Sequence, residues 1–367
     1  MDWTKTGYSY EVFVNVVSQT DVNNTLGALN NVKRSGLTIT ENYNSDSRVQ
    51  GKVVTVTREG QSDGYVAQAR LRIILVIPER NWHEELMTGY VSNIDEQNQN
   101  GYIQRTYTIE GTIWGLLEHK IKSPILIGKG SKMIHIWCTL LRNLTRMQYS
   151  AADAVDHSFN NNVVYEAGSN LSTVLFELTS GYDRMDVDGH GVVTLKKYTK
   201  PSARTASKVL DYRDWDGLTK YPLNRKSSEW ERPGRAIVTA NVSTTDSNGK
   251  TKQQVIVGSY DAPSSHDTSM AKRGYLRART DSYSGTSERP SVSELNAQAK
   301  KNWSRVQDKG IEWSAMTTFA DYHAGDVITL ITPGDYSGGN PKGRKVLVQS
   351  VQTNLDQFTQ QLTLKEV

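Results

Sequence analysis

The chain has 367 residues, of which 37% are hydrophobic, so it exceeds one ordinary domain and can build two or three cores. Its 43 basic and 39 acidic residues leave a net charge of +4, too small and too evenly mixed for a nucleic-acid-binding stripe. A single cysteine, Cys138, excludes an internal disulfide framework and a multi-cysteine metal site, and the longest apolar run, 73–77, falls far short of the ~20 residues of a membrane span.

The N-terminal stretch Met1-Asp-Trp-Thr-Lys-Thr is polar and lacks the apolar core of a signal peptide. With the lone thiol, this implies a soluble product that folds in a reducing cytoplasm. The first third then reads as strands. Residues 8–16, 48–58 and 65–77 are β-branched runs bounded by Gly, Asp and Asn clusters. A third pair, 89–94 and 102–109, flanks the polar loop Asp95 to Gly101. Successive hairpins over about 120 residues predict a compact antiparallel barrel or sandwich. Tyr and Trp, 18 and 8 against 5 Phe, suit half-exposed sheet faces and subunit contacts.

The pattern changes near Pro124. Met133, Ile136, Trp137, Leu140, Leu141, Leu144 and Met147 recur at three and four residues, one face of a helix, with Ser131 as its expected N-cap. A second helix starts at Gly168-Ser169-Asn170, carries Leu171, Val174, Leu175 and Leu178, and ends at Gly181. The turn 186–191 and the strand 192–198 complete a small α+β module. Strands return at 234–242 and 254–260 around the turn 246–249. A helix from Ser291 follows, with Leu295, Ala299, Trp303 and Val306 on its apolar face and Gly310 behind it. The tail reads as four strands: 311–319, 326–331, 345–352 and 358–364.

The expected fold class is mainly β with α+β insertions, with two tube-type antiparallel β-barrels in one chain. The expected domains are a first barrel over 1–123 and an α+β module over 124–205. A second, discontinuous barrel takes 206–262 and 311–367, with a loop and helix, 263–310, inserted. A hairpin alone is marginal in water, so 206–262 needs the strands of the tail to close a barrel. The polar stretch 281–289 reads as an exposed loop.

Five spellings hint at chemistry, and each lacks a part. Gly60-Gln-Ser62-Asp-Gly64 matches a nucleophile elbow, but strands on both sides make it a hairpin turn. His83-Glu84-Glu85 begins a zincin helix, yet Met87 stands where the second His is needed. Gly128-Lys129-Gly130-Ser131 lacks the first Gly of a phosphate loop and its Ser/Thr after the Lys. Asp186-Val-Asp188-Gly-His190-Gly191 opens like a calcium loop, but the twelfth residue is Lys197 instead of Glu. Ser264-Ser-His266-Asp267 lines up triad residues on one loop, where they cannot reach one another in the required order. The reading is therefore non-enzymatic, with no catalytic, cofactor-binding or metal residue and no cofactor.

The middle module carries a resemblance. The helix Leu171-Ser-Thr-Val174-Leu175-Phe-Glu-Leu178 leads through Gly181-Tyr-Asp183 to the turn Asp188-Gly189-His-Gly191 and the strand Val192 to Pro201. That passage resembles the helix–strand–turn–strand–tyrosine–proline segment of bacteriophage tail baseplate hub proteins. Tyr260 to Asp267, Lys272 to Arg277, Gly310 to Trp313 and Gly325 to Leu330 resemble the second half of the same family. The resemblance implies a structural hub that closes the tail tube as a homotrimeric ring. Distal tail or tube proteins would lie above it, a spike or fibre below, with the tape-measure protein as a further neighbour. Genome DNA would pass through the lumen without specific binding, and no membrane insertion is implied. The expected location is the virion tail, assembled in the host cytoplasm for host entry. Two alternatives stay open: a virion-associated cell-wall hydrolase and a carbohydrate-binding receptor module.

Overall fold

The computed structural model describes residues 9–45, 47–180, 182–214, 223–226, 232–245, 251–283, 290–307, 311–333 and 340–367, without the side chains of 243–245, 251–252 and 305–307. The N-terminal Met1 to Thr6 stretch, Gly181, the turn 246–249, Gly310, most of the loop 281–289 and the Val306 side chain lie outside this description.

The strands are, in order, β1 (Glu11–Val17), β2 (Thr25–Ala28), β3 (Val32–Asn42), β4 (Val49–Arg58), β5 (Arg70–Ile77), β6 (Trp82–Gln99) and β7 (Tyr102–Gly111). After them come α1 (Trp114–Glu118), β8 (Ile125–Ile127), α2 (Met133–Leu144), β9 (Tyr149–Asp153), β10 (Val163–Tyr165), α3 (Leu171–Thr179), β11 (Asp183–Val187) and β12 (Val193–Lys197). The remainder is β13 (Val209–Asp211), β14 (Asn224–Lys226), β15 (Arg235–Thr245), β16 (Thr251–Asp261), α4 (Met270–Arg273), β17 (Ala278–Ser282), α5 (Val292–Gln307), β18 (Glu312–Thr318), β19 (Val327–Thr332), β20 (Lys342–Asn354) and β21 (Thr359–Glu366). The fold is mainly β with α+β insertions, as the alternating runs predict. No helix among the described residues is long and apolar enough to cross a membrane.

Contacts divide the chain into two units, residues 1–223 with 314–364 and residues 224–313 with 365–367. In the first unit one sheet runs β18-β21-β20-β3-β4-β7-β6-β5-β1-β2, and β13 joins it through β19. Its first core gathers Val14, Val16, Leu37, Ile39, Val53, Leu71, Ile73, Leu75, Tyr107 and Ile109 with Phe319 and Leu355 from the C-terminal part. An aromatic seam holds that junction. The Tyr10 ring stacks on Phe358 at 4.3 Å, Phe358 on Phe319 at 5.0 Å, and Trp82 meets Phe319 edge-on at 6.3 Å.

The β6–β7 connection is tighter than the polar composition of Asp95 to Gly101 suggests. β6 continues to Gln99, and Asn100 (φ 54°) and Gly101 (φ 75°) alone make the turn. Positive φ at both central residues is the hairpin geometry that Asn-Gly favours.

The middle module packs α1, α2 and α3 around Trp137, with Met133, Leu141, Leu171, Val174, Leu175 and Leu178 buried against Met185, Val193 and Leu195. The apolar stripe at positions three and four apart makes α2 a core helix. Its cap differs from the expected Ser131. The helix begins at Met133, and Asp156 Oδ1 accepts from the Ile134 N–H at 3.1 Å while the His157 carbonyl accepts from Met133 N–H. These neighbours satisfy the first-turn donors in place of a local hydroxyl.

Residues 206–262 divide between the two units. β13 does pair with β19, in parallel. β15 and β16, however, form a separate sheet with β17, and α5 covers it. Ala236, Val238, Ala240 and Val242 face Leu295, Ala299 and Trp303, so the apolar side of the hairpin is closed by the following helix. The helix contributes the buried surface that tail strands were expected to supply, and residues 235–261 therefore group with 278–307. Gly258 makes the close approach possible: a Cβ there would stand 2.4 Å from Leu295 Cβ.

Candidate functional site

A cleft of about 220 Å³ opens in the first unit, lined by Glu41, Glu84, Glu85, Arg184, Asp188 and His323 among others. Its polar side chains come from segments far apart in sequence, among them β3, β6, β11, the β11–β12 turn and the loop before β19. Glu84 and Glu85 are neighbours on β6 but serve different partners.

Glu84 belongs to a cluster around His323. The His323 Nδ1–H donates to Glu41 Oε1 at 3.0 Å, and Nε2–H faces Asp321 Oδ1 at 2.9 Å and Glu84 Oε1 at 3.0 Å. The backbone joins in: His323 N–H donates to Asp326 Oδ2 at 3.1 Å and Ala324 N–H to Glu41 Oε2 at 3.0 Å. Lys208 Nζ lies 3.7 Å from both Asp321 and Asp326 carboxylates. Burial alone would push the His323 imidazole down. The bonds to Asp321, Glu41 and Glu84 outweigh it and raise the pKa far above the usual histidine range, so the ring is an imidazolium. Burial raises the Glu84 carboxyl above its ordinary value, with the charge of Asp321 adding to the rise. Asp321 is also pushed up by burial, but bonds from His323 and Glu84 hold it below the ordinary value.

Glu84, Asp321 and His323 bring ligand-type atoms within 4.8 Å of one another, the spacing of a metal site. Both ring nitrogens face carboxylates, the Lys208 ammonium stands among the acids, and these contacts tie β3 and β6 to the 319–326 loop.

Glu85 works on the other side of the cleft. Its Oε1 accepts from Arg72 Nη1 at 3.0 Å and its Oε2 meets His190 Nδ1 at 2.5 Å. Arg72 also donates to Thr88 Oγ1 at 3.0 Å and to the Val22 carbonyl at 2.5 Å, while Thr88 Oγ1 donates to the Gly189 carbonyl at 2.8 Å. The turn between β11 and β12 is thus docked on β6. Only glycine fits its apex, because a Cβ on Gly189 would lie 1.5 Å from the Glu85 carbonyl oxygen.

His83, Glu84 and Glu85 lie on the strand β6 instead of a helix, and the other four spellings also resolve into structure. Ser62 Oγ accepts from the Gly64 N–H at 3.0 Å, a local turn bond. The consequential residue of that motif is Asp63, 3% exposed, which accepts from Tyr107 OH at 2.5 Å and Thr55 Oγ1 at 2.9 Å, with Arg105 at 3.6 Å. Burial pushes its carboxyl up, but these bonds, led by Tyr107, hold it below the ordinary range. Lys129 N–H donates to Asn162 Oδ1 and Gly130 N–H to the Phe159 carbonyl, so those donors of the apparent phosphate loop are engaged within the protein. Asp186 pairs with Arg184 at 3.1 Å and Asp188 Oδ1 accepts from Val192 N–H at 2.8 Å, so the apparent calcium loop is a hairpin turn. His266 packs edge-on against Trp303 at 4.8 Å and bonds to Thr268, while Asp267 is exposed. The His323 and Asp63 clusters carry no local sequence signal, since their partners stand up to 282 positions away.

No family model and no curated protein matches the sequence. The fold does match solved structures. A tail protein from Neisseria meningitidis MC58 superposes with a TM-score of 0.65 at 13% identity, covering 98% of this chain and 97% of that one. The 43 kDa tail protein of prophage MuSo2 from Shewanella oneidensis gives 0.65 at 12% identity, over 98% of each chain. An Escherichia coli component of the type VI secretion system, itself similar in structure to T4 bacteriophage tail proteins, gives 0.51 at 10% identity over 98% of this chain and 77% of that one. Along nearly its whole length, the chain has the fold of phage-type tail proteins.

Proposed function

We propose that the chain is a structural part of a phage-type tail, working as the hub that closes the tail tube at its tip. The observation that carries this reading is the end-to-end fold likeness to two tail proteins, at 97% or more of both chains. It is supported by chemistry that joins segments of the molecule: the acids and bases of the cleft are engaged with one another. In this reading the β1–β7 block and the sheet of β13 with β18–β21 serve as two tube-type barrels. Three copies make a ring of six barrels between a sixfold tube and a threefold spike or fibre. Tube, spike and tape-measure proteins are its neighbours in the virion, and DNA passes without base-specific contacts. The role is non-enzymatic and needs no cofactor.

Cryo-electron microscopy of particles assembled with this chain tests the reading. A threefold ring of three chains at the tail tip is the expected density. Six copies of a one-barrel subunit, or particles whose tails lack the chain, would overturn it. Clearing of purified peptidoglycan, abolished by replacing one carboxylate, would favour the hydrolase instead.

A further inference from the structure

The sheet of the second unit, in the order β16-β15-β17, is covered by α5 on one face only. Its hydrogen-bond directions follow from the bonds at its ends. Ala262 N–H donates to the Gly234 carbonyl, so even-numbered residues along β16 bond to β15. Arg235 N–H donates to Arg277 and Tyr283 N–H to Thr239, so odd-numbered residues of β15 bond to β17. In an antiparallel ladder the directions alternate. Odd-numbered residues of β16 therefore aim their N–H and C=O groups away from β15, at the outer edge of the sheet. Ser259 confirms the direction, since its N–H is taken by Asn296 Oδ1 of α5 at 2.7 Å.

The rest of that edge has no partner strand among the described residues. Val255 is 57% exposed and Val257 50%, on the face away from α5. Across the sheet their register partners are Asn241 and Thr239, both uncharged. Edge strands are commonly guarded by Lys, Pro or a bulge. From Gln253 to Ser259 there is no charge and no proline, and the register with β15 runs without a shift.

We propose that this edge is a contact between two copies of the chain, with β16 pairing antiparallel to its counterpart about a two-fold axis at Ile256. The strand is complementary to itself in that register. Val255 lies opposite the partner's Val257, Val257 opposite the partner's Val255, and Gln253 opposite the partner's Ser259. Every opposed pair is odd-numbered, so outward backbone groups meet outward backbone groups and form ladder bonds at both Val255–Val257 pairs, while the Ser259 N–H at each end stays with Asn296. A one-residue slip would set outward groups against inward ones. Of the registers that this parity allows, only the one centred on Ile256 sets both valines against valines. No charge is brought against a like charge, and the two three-stranded sheets become one of six strands. The inference uses the second unit alone and does not rest on the tail reading.

The test is a charge swap read by sedimentation velocity on the full chain across a range of concentrations. The unaltered chain is expected to associate in pairs. V255K/V257K and V255E/V257E, each setting like charges opposite one another, are expected to weaken pairing by more than about tenfold. Mixing the two variants is expected to restore it as a heterodimer, because every Lys then faces a Glu. Matching thermal melts of the variants and the unaltered chain guard against misfolding. A monomer at all concentrations, a dimer that the substitutions leave unchanged, or variants that stay apart when mixed would each overturn the proposal. A trimer insensitive to all four substitutions would leave the ring reading intact while eliminating this edge contact.

Discussion

The N-terminal block and the second unit start from the same raw material, β-branched hairpins, and cover their apolar faces differently. In the block, strands from both ends of the chain share one core that also encloses polar groups such as Asp63 and the 1% exposed Arg70, whose guanidinium lies over the Tyr90 ring at 4.5 Å. In the second unit, a single helix lies on Ala236, Val238, Ala240 and Val242. Residue size decides between the two. Gly258 lets the α5 backbone come within contact distance of β16, while the large aliphatics of β5 are buried in a cluster with residues of other strands of the same sheet and with Phe319 and Leu355. Strand propensity is the same in both places and says nothing about the covering partner.

If the two cores are built separately, damage should stay local. Trp303 is the heaviest part of the smaller core, ringed by Tyr260 and His266 and bonded through Nε1 to the Pro233 carbonyl at 3.0 Å. Trp303→Ala is expected to cost about 3–5 kcal/mol. Hydrogen exchange should show β15 and β16 amides losing protection while β4 and β7 amides keep theirs. Equal loss in both places would break the comparison.

Gly189→Ala tests the opposite side of it. The added methyl would collide with backbone, which cannot rotate away, so a loss of about 3 kcal/mol is expected in urea unfolding followed by probes in the first unit. An unchanged midpoint would mean that the turn is not docked on β6.

Asp63→Asn should cost about 2 kcal/mol at neutral pH, because a charged acceptor for Tyr107 and Thr55 is replaced by a neutral amide. The folded pKa lies below the unfolded one, so the stabilisation is present above the unfolded value near 3.9 and disappears as pH falls through the folded value. Denaturant midpoints of the two proteins should therefore converge in acid. A gap that does not narrow as the pH falls below the unfolded value would count against an ionised Asp63.

The smallest effect is expected at His323, whose side chain is 38% exposed. His323→Gln should cost on the order of 1 kcal/mol, since water screens part of the cluster. Here the folded pKa is raised, so the stabilisation is complete below the unfolded value near 6.5 and shrinks as pH rises towards the folded one. The difference between the two proteins should be larger at pH 6 than at pH 9. The reverse order would contradict an imidazolium in the cluster.

Local features were legible in the sequence where one short segment contains the whole cause. The stripe of Met133, Trp137, Leu140 and Leu141 announces α2, Leu295, Ala299 and Trp303 announce α5, and the Asp188-Gly189 turn sits where its residues place it. The Asn100-Gly101 pair also carried its signal, hidden within a polar stretch that reads as a longer loop. Partnership between segments was not legible. Nothing about Glu41 or Glu84 points to His323, and nothing in β16 says that α5 will cover it. β3, with its early residues exposed and only its second half alternating, gives little strand pattern of its own.

That strand also sets a clock. Thr38 to Asn42 of β3 pair with Ser350 to Asn354 of β20, so 312 residues must follow Asn42 before its partner strand is complete. At the usual ~5–20 residues per second of synthesis, the open side of β3 waits roughly 15–60 s for its ladder. Meanwhile the N-terminal hydrophobic cluster lacks Phe319 and Leu355. The growing chain thus carries an unsealed sheet until residues 319–354 emerge, and that segment acts as the bolt that ends its vulnerability to premature association.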